Sequence, residues 1–268
     1  MKPTSRNVSG TRLLVLLLLL GSLLAFGWLV VRDRGRQQPL LSGLDRAAVA
    51  EIELSHGAET LLLRKRAGIG PWEIRSAADA PGDAAKIGAL LDSLASLEGR
   101  PIEAAQVESA PVGVRLADAE GQTIIRLAFW SGRARRLPDG PLLAVRRLPL
   151  LPLWPSPWSS VAPPNIDSSR LARVDRITPE GLQPLDDGAA AGVAFILGKL
   201  TAVQFVPAFD LNWTRAKMLR LTLRDGTVIN ALQTMDGDGR IYLRFESEQD
   251  AEVRAVRRFA FRTAQPLP

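Results

Sequence analysis

Leu44-Asp45-Arg46-Ala47-Ala48-Val49-Ala50-Glu51-Ile52 is echoed 122 positions later by Ile166-Asp167-Ser168-Ser169-Arg170-Leu171-Ala172-Arg173-Val174, with a slip of a residue or two. Each stretch leads into the same series of elements, so the body of the chain reads as a duplication. In the first copy residues 49–54 alternate as V-A-E-I-E-L, residues 60–65 give a second strand and 71–74 a short third. This is the period of half-buried strands in a meander, joined by glycine-containing turns. From Asp83 the period changes: Ile87, Leu90, Leu91, Leu94 and Leu97 recur at three- and four-residue steps, which predicts one apolar helix face ending near Gly99 and Pro101. Strands return at 112–116, 123–130 and 142–146, separated by Asp118-Ala119-Glu120-Gly121 and by a loop over 131–141.

The second copy repeats the order. A helical face at Val193, Ile196, Leu197, Leu200 and Val203 is followed by strands at 218–223, 227–234 and 240–245, with Asp225-Gly226 and Asp236-Gly237-Asp238-Gly239 as hairpin turns. A weaker amphipathic pattern over 248–258 predicts a closing helix. A strand-rich sheet with one apolar face needs a cover. The expected fold is therefore α+β: two tandem repeats, residues 44–148 and 165–268, each an antiparallel sheet covered by one main helix and owning its own core.

Between the copies, residues 149–164 contain six prolines together with Trp154 and Trp158. That density predicts an extended, polyproline-like path without regular structure. Two roles are open to it. It is either a stiff strap whose tryptophans close the two cores, or a docking strip with Trp154 and Trp158 as anchors.

Ahead of both copies runs LLVLLLLLGSLLAFGWLVV at residues 13–31, nineteen residues without a charge. At about 1.5 Å rise per residue it spans roughly 28 Å, close to the hydrocarbon thickness of a bilayer. Fourteen of its side chains are Leu, Val or Phe. Each of these favours mid-helix insertion by about 0.3 to 0.6 kcal/mol. The run is too long for a cleaved secretory signal, no Ala-x-Ala site follows it, and no cysteine offers a lipoprotein anchor. The reading is an uncleaved signal anchor, a single transmembrane helix behind a cytoplasmic tail of residues 1–12 and ahead of a linker at 32–43. Lys2, Arg6 and Arg12 nearly balance Arg32, Arg34 and Arg36; the α-amino group and Asp33 tip the N-terminus inward, which places the bulk of the chain in a bacterial periplasm.

The formal net charge of +6 is carried largely by scattered arginines, and no basic-aromatic nucleic-acid module surrounds them. The densest cluster is Arg133, Arg135, Arg136, Arg146 and Arg147. It reads either as a solvated hairpin face or as a contact for anionic lipid or another polyanion. The absence of cysteine excludes a disulfide framework and leaves the compartment open. His56, the sole histidine, sits in a turn with no second histidine or cysteine to build a zinc site, and no Gly-x-Ser-x-Gly elbow is present. Gly68-Ile69-Gly70-Pro71 lacks the third glycine of a dinucleotide fingerprint, and no Walker-type Gly-Lys-Ser/Thr occurs. No cofactor, metal or nucleic acid is therefore expected. The paired carboxylates Glu51/Glu53 and Asp186-Asp187 leave a carboxylate-dependent glycan enzyme or glycan-binding module as the alternative. Their structural explanations are the wet face of a strand for the first pair and the positive end of a helix for the second.

Leu41-Ser42-Gly43-Leu44-Asp45 with residues 49–54, the strand Gly70-Pro71-Trp72-Glu73-Ile74, the helix from Ala84 to Leu97 and the junction at 165–174 together resemble a domain-of-unknown-function family of membrane-anchored bacterial envelope proteins, often encoded beside gliding-motility-type ABC transporters. The resemblance covers nearly the whole chain, which departs from the family pattern in its compact second copy. It implies an accessory role in an envelope transport assembly, with an ABC transporter permease or auxiliary subunit as partner, and brings no catalytic residues to carry over. The expected function is thus a non-enzymatic, single-pass inner-membrane scaffold. Its candidate partner-binding residues are Trp154, Trp158, Arg133, Arg135 and Arg136. Exposed strand edges would also allow a homo-oligomer.

Overall fold

The computed structural model describes residues 19–24, 27–28, 37–103, 110–166, 168–200 and 204–268. Residues 19–24 and 27–28 of the apolar run are helical, and Leu19, Leu20, Leu23, Leu24 and Trp28 are exposed. The rest of the run, the tail at 1–12, the linker arginines, Asp167 and Val203 lie outside the described residues. Among the described residues no helix is long and apolar enough to cross a membrane.

The described residues form seventeen strands in two antiparallel sheets. The first contains β1 (Gln38–Pro39), β2 (Glu51–His56), β3 (Glu59–Lys65), β4 (Trp72–Ile74), β5 (Ala80–Pro81), β6 (Glu98–Pro101), β7 (Val112–Ala117), β8 (Thr123–Trp130), β9 (Arg133–Leu137) and β10 (Leu142–Ala144), with helix α1 (Ala84–Ala95) between β5 and β6. The second contains β11 (Leu171–Thr178), β12 (Gly181–Pro184), β13 (Phe205–Pro207), β14 (Lys217–Leu223), β15 (Val228–Met235), β16 (Ile241–Glu246) and β17 (Phe259–Thr263). Helix α2 (Asp187–Gly198) precedes β13, and α3 (Ala251–Val256) precedes β17.

The duplication is visible in the strand order. The second sheet runs β12-β11-β14-β15-β16-β17-β13, and the first contains β3-β2-β7-β8-β9-β10-β6. Seven strands recur in the same spatial and sequential order, with the main helix inserted at the same point between the second and third of them. The first copy adds β4 and β5 beside β3, and β1 beside β6, making ten strands. The second copy lacks these additions and carries α3 instead.

Alternation in the strands turns Ile52, Leu54, Leu61, Leu63, Leu116 and Leu127 inward in the first sheet, where α1 adds Ile87, Leu90, Leu91 and Leu94. In the second sheet Val174, Leu219, Leu221, Ile229, Leu243, Phe245 and Phe261 meet Val193 and Leu197 of α2. The expectation of two separate cores is corrected here: one contiguous apolar cluster runs through both copies, joined by Trp158, Ile166 and the half-buried Leu148, Leu151, Leu153 and Val161 of the strap and its flanks.

The strap is pinned to the first repeat. Asp83 N–H donates to Trp158 O at 2.7 Å, Ser160 N–H to Pro81 O at 3.0 Å and Ser159 Oγ to Pro81 O at 2.9 Å. Gly82, which bridges to Ser159, has room for no side chain, since a Cβ would lie 2.9 Å from Cβ of Trp72. On the other side, Phe205 N–H donates to Ser156 Oγ at 3.3 Å. The strap also contains one short 3-10 turn, Ser156–Trp158, where a path without regular structure was expected; Pro155, whose fixed φ suits a turn start, leads it.

Strands also fall where the pattern predicts none, among them β1, β5, β6, β9, β13 and β17. β9 occupies part of the expected 131–141 loop, because Arg133 and Arg135 alternate with Ala134 on a sheet whose outer face is charged. β17 follows α3, which is shorter than the helix predicted over 248–258.

The side chain of Asp83 caps α1, accepting from Ala85 N–H at 3.1 Å and Lys86 N–H at 3.2 Å. The hydrogen bond from Lys86 N–H lowers the carboxyl's pKa below its ordinary value, against a smaller opposing effect of burial. Asp83→Ala is expected to lower stability by about 1 kcal/mol in denaturant unfolding, with Asp83→Asn retaining most of it. Because the folded pKa is depressed, the charged cap contributes fully above the ordinary carboxylate range. The contribution is lost as pH falls through the folded value, so the wild-type advantage over Asp83→Asn shrinks on acidification.

Candidate functional site

An open cleft of about 980 Å³ lies in the second repeat, between the C-terminal end of α2 and the ends of β16 and β17. Asp186 starts α2, its Oδ1 accepting from Ala189 N–H at 2.7 Å, as expected for a carboxylate at a helix N-terminus. Val193, Ala194 and Leu197 are the buried side chains of α2. Phe195 stays 54% exposed, and Lys199, four residues on, places its Nζ 3.9 Å from the ring centroid.

From the sheet come two arginines. Arg262 on β17 donates from Nη1 to Gln204 Oε1 at 2.8 Å. Arg240 reaches Asp238 at 3.1 Å and Asp236 at 3.9 Å, within the hairpin turn predicted at 236–239. That turn is built by Asp236 Oδ1, which accepts from Asp238 N–H at 3.0 Å and Arg240 N–H at 2.8 Å. The cleft thus sets three cations and an exposed aromatic ring against the carboxylate of Asp238. Such a surface can take an acidic segment bearing an apolar side chain.

The sequence candidates separate in space. Trp158 is 5% exposed, with its Nε1–H donating to Pro152 O at 2.8 Å; it is part of the core and is withdrawn from the docking surface. Trp154 is half exposed. Arg133 and Arg135 lie on one face of β9, opposite Trp130 and Ala128, while Arg136 lies on the other face opposite Leu127. Arg135 Nε–H is spent on Gly140 O at 2.8 Å. Phe195 and Lys199 are absent from the sequence candidates. Their signal was an aromatic residue standing off the Val193/Ile196/Leu197/Leu200 stripe, four positions before a lysine.

The carboxylate pair Glu51/Glu53 is held by one arginine. Arg115 on β7 donates from Nε to Glu53 Oε2 at 2.9 Å and from Nη2 to Glu51 Oε1, while Arg64 Nε lies 3.7 Å from Glu51. Desolvation opposes the guanidinium charge, but hydrogen bonding and the fields of Glu53 and Glu51 outweigh it and raise the pKa of Arg115. Glu51 is buried, which corrects the expectation of a wet strand face: its flanking arginines cover it. Glu73 is likewise bound by Arg66 Nε at 2.6 Å. His56 is exposed at a strand end, its Nδ1 3.4 Å from Pro111 O. Among the described residues no group of three or more His, Asp or Glu could hold a metal ion.

Compared with known protein families, curated proteins and solved structures, the chain matches none.

Proposed function

We propose that this chain is a non-enzymatic accessory or scaffold protein, anchored by residues 13–31 in the bacterial inner membrane, whose periplasmic repeats bind an envelope partner. An ABC transporter component is the partner class implied by the family resemblance. The observation that carries this reading is the division of labour among polar groups. Glu51, Glu53, Glu73 and Asp186 are engaged in ion pairs or a helix cap, while an open cleft gathers Phe195 and Lys199 with Arg240, which also reaches Asp238, and Arg262, which also bonds Gln204. An aromatic ring among cations suits recognition of a protein surface.

Full-length protein purified in mild detergent after in-cell crosslinking tests it. The expected result is an integral transporter subunit among the crosslinked products, with recovery at least tenfold lower for Phe195→Ser/Lys199→Glu while circular dichroism is unchanged. Turnover of a cell-wall glycan by the purified protein, with no envelope protein crosslinked, would overturn the reading in favour of the glycan enzyme.

A further inference from the structure

We infer that the β1–β6–β10 edge of the first repeat is a lipid-facing surface, with Arg100, Arg133, Arg146 and Arg147 set against the phosphates of anionic headgroups. This rests on the anchor reading above. Five residues lie between Val31, the end of the apolar run, and Gln37, so the two are six Cα steps apart. A fully extended chain covers at most about 3.6 Å per residue, so Gln37 stands no more than about 22 Å from the hydrocarbon boundary. Headgroups fill roughly the first 5–8 Å of that distance.

The strand that receives this short tether is the edge strand of the sheet. β1 pairs with β6 through Gln38 opposite Gly99, and β6 pairs with β10 through Arg100 opposite Ala144. Ala144 in turn faces Arg133 on β9. Neighbouring strands lie about 4.8 Å apart, so Arg100 sits one strand from the tether and Arg133 about three. Two clefts flank Gln37. One, about 240 Å³, is lined by Arg100 and Arg146; the other, about 550 Å³, by Arg146, Arg147 and the C-terminal end of α1 at Ser93 and Ser96. Arg100, Arg146 and Arg147 are exposed, and Glu98 is the carboxylate among the residues lining both clefts.

Cations on this edge enter the field of anionic lipid, which decays over about 8 Å at physiological salt, when the tether is less than fully extended. The location selects lipid over other polyanions, because the tether presents this edge to the membrane continuously and at high effective concentration.

The chain has no cysteine, so a single Ser96→Cys carries an environment-sensitive fluorophore at the rim of the larger cleft. Full-length protein is reconstituted into nanodiscs of phosphatidylcholine alone or with about 30% phosphatidylglycerol, and quenching by an aqueous collider is read. Expected are several-fold protection of the label in the anionic discs, reversal near 1 M salt where the screening length is about 3 Å, and no change for a label at Asp225→Cys. Substituting Arg100, Arg133, Arg146 and Arg147 together by Gln is expected to abolish the protection.

Equal quenching in both lipids overturns the proposal. If the protein enters the discs but shows that equality, only the lipid-facing surface fails; if it does not enter them, the anchor reading fails with it. Should the fourfold variant misfold, the lipid and salt dependence of the labelled, otherwise native protein decides alone.

Discussion

Trp158→Ala is expected to lower the unfolding free energy by about 3–5 kcal/mol, read from the midpoint and slope of denaturant unfolding. The indole is 5% exposed and joins the apolar cluster that runs through both copies, so its removal leaves a cavity at the junction of the two repeats. It also frees Pro152 O, which accepts the indole N–H. Trp158→Phe is the milder variant: it keeps most of the buried area but removes that hydrogen bond together with part of the ring volume, at a cost of about 1–3 kcal/mol. Trp154→Ala is the internal control, expected within about 0.5 kcal/mol of wild type because its ring is half exposed. A loss below 1 kcal/mol for Trp158→Ala would show that the strap is not part of the core. With total stabilities of about 5–15 kcal/mol for ordinary domains, the expected loss is a large share of the whole.

The second large effect is expected from Arg115→Met, at about 2–3 kcal/mol. That is below the ~3–5 kcal/mol for breaking fully buried pairs, since solvent reaches part of the site. The Arg115 side chain is 24% exposed and that of Glu51 10%, so the guanidinium neutralises two carboxylates that the sheet has largely taken out of water. Met fills most of the alkyl volume, which confines the loss to charge and hydrogen bonding. Adding Glu51→Gln is expected to recover about 1 kcal/mol, because the group left unpaired is then neutral. Strict additivity of the two substitutions in a double-mutant cycle would contradict the geometry. Neither variant should alter partner capture through the Phe195 cleft, which lies in the other repeat.

The duplication was legible because it rests on pattern: the echo of 44–52 at 166–174 and two helical faces in matching positions are features of the backbone period. The helix over 84–95 and the hairpin at 236–239 follow directly from spacing and turn chemistry. β9 was hidden because arginines occupy the outward positions of a strand, so the alternation Arg133-Ala134-Arg135 has one small apolar residue to signal it. β17 was hidden behind the short α3, where the helical pattern over 248–258 continues into the approach to the strand. Burial of Glu51 could not be read locally either, since it depends on Arg115, which is 64 residues away and enters the same face only through sheet register. The candidate cleft was the least legible part. Phe195 and Lys199 are visible as neighbours on one helix, but Arg240 and Arg262 join them only through the pairing of β16 with β17, in which Ile241 faces Thr263.

Trp158 sits beyond the last strand of the first repeat yet belongs to the cluster that α1 and that repeat's strands build. A chain emerges from the ribosome N-terminus first. The first repeat therefore cannot complete its interior when its own last strand appears; it waits until residues through Ser160 have emerged to bond Pro81. Until then α1 lacks the carbonyl that receives Asp83 N–H, and the apolar surface that the strap covers faces water. The order of synthesis thus makes the strap the closing step for the segment that precedes it.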